Sequence, residues 1–255
     1  MDPTFLDAAA VEAALPSVDA VRGVLRDVFT RLAGGGAVQP AQALTLLPGD
    51  AGDSITYTGA VADGPAGPLL GVKVSPYLTA RPPGERVSAY TLLVSTDTGR
   101  PVLLCDSGAL TTERTAGTSA LAVDLLAGTD AGVLAVIGAG PVAVAHLRHL
   151  RAVRAWREIR VFSPSLAAHP GGAVRFGRDV VVARSAAAAV DGADVVACCT
   201  SAADTVVEVD WLSRHTVVTS VSTNAASARE VDPAELHRFA VTCDFAAPHR
   251  SWPAS

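Results

Sequence analysis

The sequence predicts an α/β protein in two parts: an N-terminal α+β domain with a mostly antiparallel sheet, then a doubly wound parallel sheet. Three observations carry this. Short apolar runs between residues 43 and 105 follow one another with only Pro- and Gly-rich turns between them. From Val133 onward, apolar runs alternate with helical stretches instead. The first of these later runs, Val133 to Ile137, enters a glycine-rich turn that opens a helix. Strands in succession can pair through tight turns, whereas strands separated by helices cross over and pair in parallel.

The chain opens with a helix. Val21, Val24, Leu25, Val28, Phe29 and Leu32 keep a helical repeat, Ser17 can cap its start, and Gly34-Gly35-Gly36 ends it. Strands are expected over residues 43–47, 54–58, 70–74, 89–94 and 101–105, divided by turns such as Pro48-Gly49-Asp50, Gly64-Pro65 and Pro82-Pro83-Gly84. A second helix, rich in Thr, Ala and Ser, is expected over residues 112–127 and stops at Gly128. The domain change is placed there, with residues 1–128 in the first domain and 129–255 in the second. The second domain reads as strand 133–137, helix 141–150, strand 158–162, strand 179–183, helix 185–190 and strand 194–200, completed by strands 216–221 and 240–243.

Composition excludes several classes. With 49% hydrophobic and 18% charged residues in 255, the chain is globular, and it is long enough to bury a substantial core. No apolar stretch approaches the roughly 18–20 residues of a membrane span. Met1-Asp2-Pro3-Thr4 shows no basic region followed by an apolar one, so no secretory signal is expected and the cytoplasm is the expected location. A net charge of −5 offers no general attraction to nucleic acid or an anionic membrane. Cys105, Cys198 and Cys199 lie in apolar runs and none of the four cysteines forms a C-x-x-C pair, as expected of buried, reduced thiols. His146 and His149 stand three apart on one helix without a further ligand nearby, which predicts surface histidines and no metal.

The turn Gly138-Ala139-Gly140-Pro141-Val142-Ala143 is a G-x-G-x-x-A between a buried strand and a helix. In that setting the first glycine makes the tight turn, the second clears a side chain from the path of a pyrophosphate, and Ala143 lets helix and strand pack closely. Pro141 suits the first helical position, and the free amides behind it can hold phosphate. The second domain is therefore expected to be a Rossmann-type dinucleotide-binding fold, with the run Gly138 to Val142 at the cofactor. An Asp or Glu at the end of the second strand would hold a ribose 2′-hydroxyl. Here that strand ends Phe162-Ser163-Pro164-Ser165, with no acid, so Ser163 and Ser165 are candidate cofactor contacts and the reading points to NADP(H) over NAD(H).

Two further stretches carry chemistry. The run from Leu110 to Ala122 reads Leu-Thr-Thr-Glu-Arg-Thr-Ala-Gly-Thr-Ser-Ala-Leu-Ala after a turn and strand, Thr98 to Asp106, and is expected to place Arg114 in a first helical turn, where guanidinium and free amides converge on an anion. Gly71-Val72-Lys73-Val74-Ser75 places a lysine inside an apolar strand, where it must reach solvent, pair or work. Together with the glycine turn, these motifs resemble the ornithine cyclodeaminase/μ-crystallin family. Weaker matches are Ala193-Asp194-Val195-Val196 with Thr200, and Arg229-Glu230-Val231-Asp232. The resemblance implies a substrate-binding and dimerisation domain joined to the dinucleotide domain. It implies that Lys73 and Arg114 hold a substrate carboxylate, with Lys73 near the reacting carbon, that Thr115 and Ser119 line the nucleotide side, and that Thr200 contacts the cofactor. A homodimer through the Val/Leu-rich N-terminal sheet is also expected.

The departures from the family pattern shape the functional expectation. Gln42 stands where the family often has an arginine, a further carboxylate ligand, and Thr56-Tyr57-Thr58-Gly59 replaces the usual M-P-A strand. Asn224 stands where cyclodeaminases carry a catalytic aspartate. Members of the family continue beyond the point that matches Ser255, so their C-terminal tail is expected to be missing. The leading expectation is an NAD(P)-dependent oxidoreductase acting on a small amino or imino acid, an imine reductase or amino-acid dehydrogenase, with Lys73 and Asn224 at the reacting centre and Gln42 at the carboxylate. The alternatives are an ornithine or lysine cyclodeaminase, and a non-catalytic protein that binds NADP(H) and a carboxylate ligand.

Overall fold

A computed structural model describes residues 4–82, 85–221 and 228–244. Two compact units divide the chain: among the described residues the first holds everything up to Ser17 and then Gly23 to Thr111, the second Val18 to Arg22 and Thr112 onward.

In the first unit β1 (Thr4–Leu6) leads into α1 (Ala8–Ala13), whose N-terminus is capped by Asp7 accepting the Ala10 amide at 2.8 Å. Helix α2 (Val18–Gly34) begins directly after Ser17 and ends in the glycines, where Gly35 takes a φ of +79° that few other residues adopt. There follow β2 (Ala37–Val38), β3 (Ala43–Leu46), β4 (Gly52–Val61), β5 (Leu69–Leu78), β6 (Tyr90–Ser95) and β7 (Pro101–Asp106). They form a seven-stranded sheet in the order β1-β7-β6-β5-β4-β2, with β3 also paired to β4. Every pairing is antiparallel except β1 with β7, so the mostly antiparallel sheet is as the apolar runs predict. The two shortest strands and α1 went unread because two to six residues are too few to show a period.

Helix α3 (Gly108–Leu126) starts four residues earlier than expected. Asp106 accepts the Gly108 amide at 2.8 Å and the Ser107 carbonyl accepts the Thr111 amide at 2.8 Å, which starts the helix at once behind β7. Arg114 is therefore the seventh helical residue, not a first-turn residue. The free amides of the helix N-terminus therefore belong to the turn before the one that carries Arg114. The change of grammar near Gly128 is the end of this helix, while the division between the units falls within it, at Thr111/Thr112.

The second unit continues with β8 (Val133–Ile137), α4 (Pro141–Val153), β9 (Glu158–Phe162), α5 (Pro164–Ala168), a 3-10 turn (Pro170–Phe176), β10 (Val180–Val182), α6 (Ala186–Val190), β11 (Val195–Cys198) and β12 (Val217–Ser220). The five strands are all parallel in the order β10-β9-β8-β11-β12. Every residue of β8 is buried. Leu134 and Val136 join one core with Leu147, Leu150, Val161 and Phe176, whereas Val133, Ala135 and Ile137 join another with Val190, Val196 and Cys198. One strand feeding two cores is the mark of a sheet covered on both faces, the doubly wound arrangement expected. Asp194 accepts the amides of Gly132 and Val133, both at 2.8 Å, and so ties the entry of β11 to that of β8. Residues 240–243, expected as a strand, are exposed and pair with nothing among the described residues, so β12 is the last strand of the sheet there.

The two histidines of α4 are not on the surface. His146 and His149 are both fully buried against α3. A carbonyl can only accept, so the contact of His146 Nδ1 with the Val142 carbonyl at 2.8 Å puts the proton on Nδ1, and Nε2 then accepts from the Ser119 hydroxyl at 2.9 Å. His149 Nε2 donates to Glu113 at 2.9 Å, and Arg148 donates to the other oxygen of the same carboxylate. The residues fall on the stripe of α4 that packs inward with Ala143, Leu147 and Leu150. No helix among the described residues is long and apolar enough to cross a membrane.

Burial lowers the His146 pKa from 6.5 to about 4. Its folded value lies below its unfolded one, so the stability that this neutral ring contributes is complete above pH 6.5 and is lost as pH falls from there towards about 4. Replacement by Phe should cost about 1–3 kcal/mol at neutral pH through the unpaired Ser119 hydroxyl. The same variant should show a shallower decline of stability between those two pH values, which urea unfolding at several pH values will measure.

Candidate functional site

In an open doubly wound sheet the ligand crevice lies outside the carboxyl ends of the strands, where the strand order reverses. Here the chain runs from β8 outward to β9 and β10, then returns to the far side of β8 as β11. The crevice therefore opens at the ends of β8 and β11, and the glycine turn stands there.

The two glycines of the turn do different things. Gly138 has φ +131°, and a Cβ on it would lie 2.4 Å from the Cys199 carbonyl oxygen. It is glycine because the ends of β8 and β11 come together at its Cα. Gly140 has an ordinary extended backbone, φ −79° and ψ 178°, and a Cβ there would meet nothing within 4 Å. No atom of the described residues accounts for its missing side chain. The space faces the start of α4, where the first helical bond, Val144 amide to Gly140 carbonyl at 3.2 Å, leaves the amides of Val142 and Ala143 ahead of the ladder. Open space, free amides and the positive end of a helix suit a diphosphate.

At the end of β9, Ser163 is nearly buried and caps α5, its hydroxyl accepting the Leu166 amide at 3.1 Å and lying 2.9 Å from that of Ser165, which is exposed. At the end of β11, Thr200 donates its amide to Glu230 at 2.5 Å and accepts the Ala202 amide on its hydroxyl at 3.3 Å. Thus Gly138 to Val142, Ser163, Ser165 and Thr200 share the carboxyl end of one sheet. Thr115 is half-buried and Arg114 exposed on α3 of the same unit. The Ser119 hydroxyl, expected at the nucleotide, faces His146 instead.

Lys73 stands in the first unit. Strand register places Tyr57, Lys73 and Thr91 directly opposite one another on β4, β5 and β6, hence on one face. Gln42 immediately precedes Ala43, the partner of Thr56, at the β3 end of that row. The ammonium lies 4.4 Å from the centre of the Tyr57 ring and donates to the Thr111 hydroxyl at 3.3 Å. The lysine thus rests against a ring face of its own sheet and a hydroxyl at the start of α3. One row along, Gly59 and Gly71 stand opposite each other beside Leu93 and line an apolar cavity of about 250 Å³ with Val28, Phe29 and Leu32 of α2. Asn224 lies outside the described residues. Sequence reasoning missed the parts played by Tyr57, Thr111 and Glu230; pairing the strands through their turn would have found Tyr57 opposite Lys73, while Thr111 and Glu230 lay inside matched motifs that gave neither a role of its own.

This geometry defines an α/β protein with a Rossmann-type dinucleotide-binding unit and a separate sheet that carries a charged lysine. The family described as the ornithine cyclodeaminase/mu-crystallin family matches residues 5–251, and the chain belongs to it. It is 43% identical over 244 residues to the NAD(P)H-dependent anabolic L-arginine dehydrogenase DauB of Pseudomonas aeruginosa, covering 95% of this chain and 76% of that one. It is 30% identical over 153 residues to the ketimine reductase mu-crystallin of Mus musculus, covering 60% of this chain and 49% of the other. Among solved structures, a probable ornithine cyclodeaminase from Bordetella pertussis superposes with a TM-score of 0.77 at 25% identity, covering 91% of this chain and 71% of that one.

The contrast between the glycines generates a test. Gly140→Val should leave the melting temperature within a few degrees of the parent, since a Cβ there meets no atom of the described residues, yet abolish dinucleotide binding. Gly138→Ala should lower stability by several kcal/mol, because the strand ends must part. Calorimetric titration and thermal unfolding of both variants check this; unchanged coenzyme affinity in Gly140→Val would remove the site from α4.

Proposed function

We propose that this chain is an enzyme, an NAD(P)-dependent oxidoreductase acting at the α-carbon of a small amino or imino acid, of imine reductase or amino-acid dehydrogenase type. The observation that carries the reading is the space before α4 that Gly140 leaves and no atom of the described residues fills. The relatives support it, one an arginine dehydrogenase and one a ketimine reductase.

The nicotinamide coenzyme, when bound, supplies or accepts hydride; the protein supplies orientation and charge. Gly138 to Val142 hold the diphosphate, with Thr115 and Thr200 as further contacts. Ser163 is occupied as a helix cap, so the exposed Ser165 hydroxyl is the group left to meet a 2′-phosphate. With no carboxylate at the end of β9 to repel that phosphate, NADP(H) is the favoured coenzyme. Lys73 and Arg114 neutralise the substrate carboxylate, and Lys73 can return a proton to nitrogen. Gln42 offers a neutral contact where an arginine would give a charged one. Asn224 cannot titrate, and orients a water or an amine.

Cyclising deamination needs a group that accepts and returns protons. Glu230, an acid within the same unit, is 1% exposed and its carboxylate already accepts three hydrogen bonds, so it does not serve as that group. For the first unit we propose self-association through the sheet face opposite Lys73. Val72, Leu92, Leu104 and Phe5 stand in one row across β5, β6, β7 and β1, next to Val74 and Tyr90, and Phe5 is 60% exposed. The reading is of a cytoplasmic homodimer, and Leu104→Glu should yield a monomer by light scattering at micromolar concentration.

Lys73→Met and Arg114→Leu should each lower kcat/KM by roughly ten- to 150-fold, the equivalent of about 1.5–3 kcal/mol for a charge-assisted contact, with little change in melting temperature. Mixing the protein with cyclic imines, or α-keto acids plus amines, should oxidise the reduced coenzyme steadily. Conversion of ornithine to proline with stoichiometric ammonia and catalytic coenzyme would instead establish the cyclodeaminase reading, and binding without turnover the non-catalytic one.

A further inference from the structure

Glu230 is a buried carboxylate set across the ends of two strands. Its Oε1 accepts the Thr200 amide at 2.5 Å, and its Oε2 accepts the Ser220 hydroxyl at 2.8 Å and the Val221 amide at 2.9 Å. Its own carbonyl accepts the amides of Val206 and Val207 at 3.0 and 3.1 Å. One residue thereby ties the carboxyl end of β11, the carboxyl end of β12 and the loop that follows β11. Burying a carboxylate is costly unless its oxygens are satisfied, and here backbone and hydroxyl donors satisfy them. The donors approach both oxygens, so an amide in its place would set an NH2 group against an N–H whichever way it turned.

The place matters more than the bonds. The sheet has two sides about its switch point, each suited to one mononucleotide half of a dinucleotide. The β8-β9-β10 side carries Gly140 and Ser165, the contacts for the adenosine diphosphate half. The β11-β12 side receives the other half, and there Glu230 holds the backbone at Thr200 and at Val221. We propose that Glu230 is a positioning residue for the nicotinamide half of the coenzyme, setting the ends of β11 and β12 without touching the reacting atoms. The proposal rests on the dinucleotide reading above.

That division makes the test a comparison of coenzyme fragments. ADP engages only the β8 side, while the whole coenzyme, NADH or NADPH according to which the parent binds more tightly, engages both. In calorimetry Glu230→Gln should bind ADP within about twofold of the parent and bind the whole coenzyme at least tenfold more weakly. Should Glu230→Gln not fold, Ser220→Ala removes one donor and leaves the carboxylate in place. It should weaken the whole coenzyme two- to fivefold and leave ADP unchanged. Equal weakening of ADP and coenzyme, or no weakening of either, overturns the proposal and reduces Glu230 to a structural clamp. Failure of the parent itself to bind ADP overturns the dinucleotide reading, and the proposal with it.

Discussion

The approach of Gly138 to the Cys199 carbonyl governs the second unit. A parallel sheet whose strand order reverses must bring the ends of two strands, far apart in sequence, side by side at the reversal. Only a residue without a side chain lets β8 and β11 end that closely. Cys199 donates its amide to the Ile137 carbonyl at 2.8 Å, and Gly138 donates to the Phe162 carbonyl at 2.8 Å, so β8, β9 and β11 are laced together at this point. The start of α4, the cap at Ser163 and the turn at Thr200 all take their positions from that lacing. Glycine in such a turn is commonly read as room for a ligand; at Gly138 it is room for the protein.

Behind the turn, the packing of α3 on α4 uses polar side chains where leucines would have served. Two neutral imidazoles, a serine hydroxyl and the Glu113 carboxylate with Arg148 join the helices by bonds of fixed direction. Apolar contacts allow two helices to slide, whereas a histidine held at both nitrogens fixes one register. That register sets α4, whose first turn faces the crevice, against the helix that carries Arg114 and Thr115.

Much of this was legible in the amino-acid order, and the failures have physical causes. Long strands were read within a few residues because apolar runs bounded by glycine and proline have little alternative. Elements of two or three residues carry no period, and the chain at 240–243 is apolar enough to suggest a strand but meets no edge among the described residues to pair with. The start of α3 was misplaced because Gly108 and Thr111 are poor helix formers, and the capping by Asp106 and Ser107 outweighs them. The histidines were misjudged by residue type alone. Position would have corrected this, since His146 lies three after Ala143 and four before Leu150, on the apolar stripe. The glycine turn and the lysine strand were plain, but the motif around Glu230 gave no sign of what that carboxylate holds, because burial by the carboxyl ends of two strands is not a local property.

The cap at Ser163 bears on how the coenzyme preference of such a protein could change over time. Serine and aspartate are about equally good at beginning a helix, since either can offer an oxygen to the amide that Leu166 presents. The acid that discriminates against a 2′-phosphate could therefore enter at this position without weakening α5. An ancestral choice between the two coenzymes would then be open to reversal by a single replacement, with the architecture indifferent to the outcome.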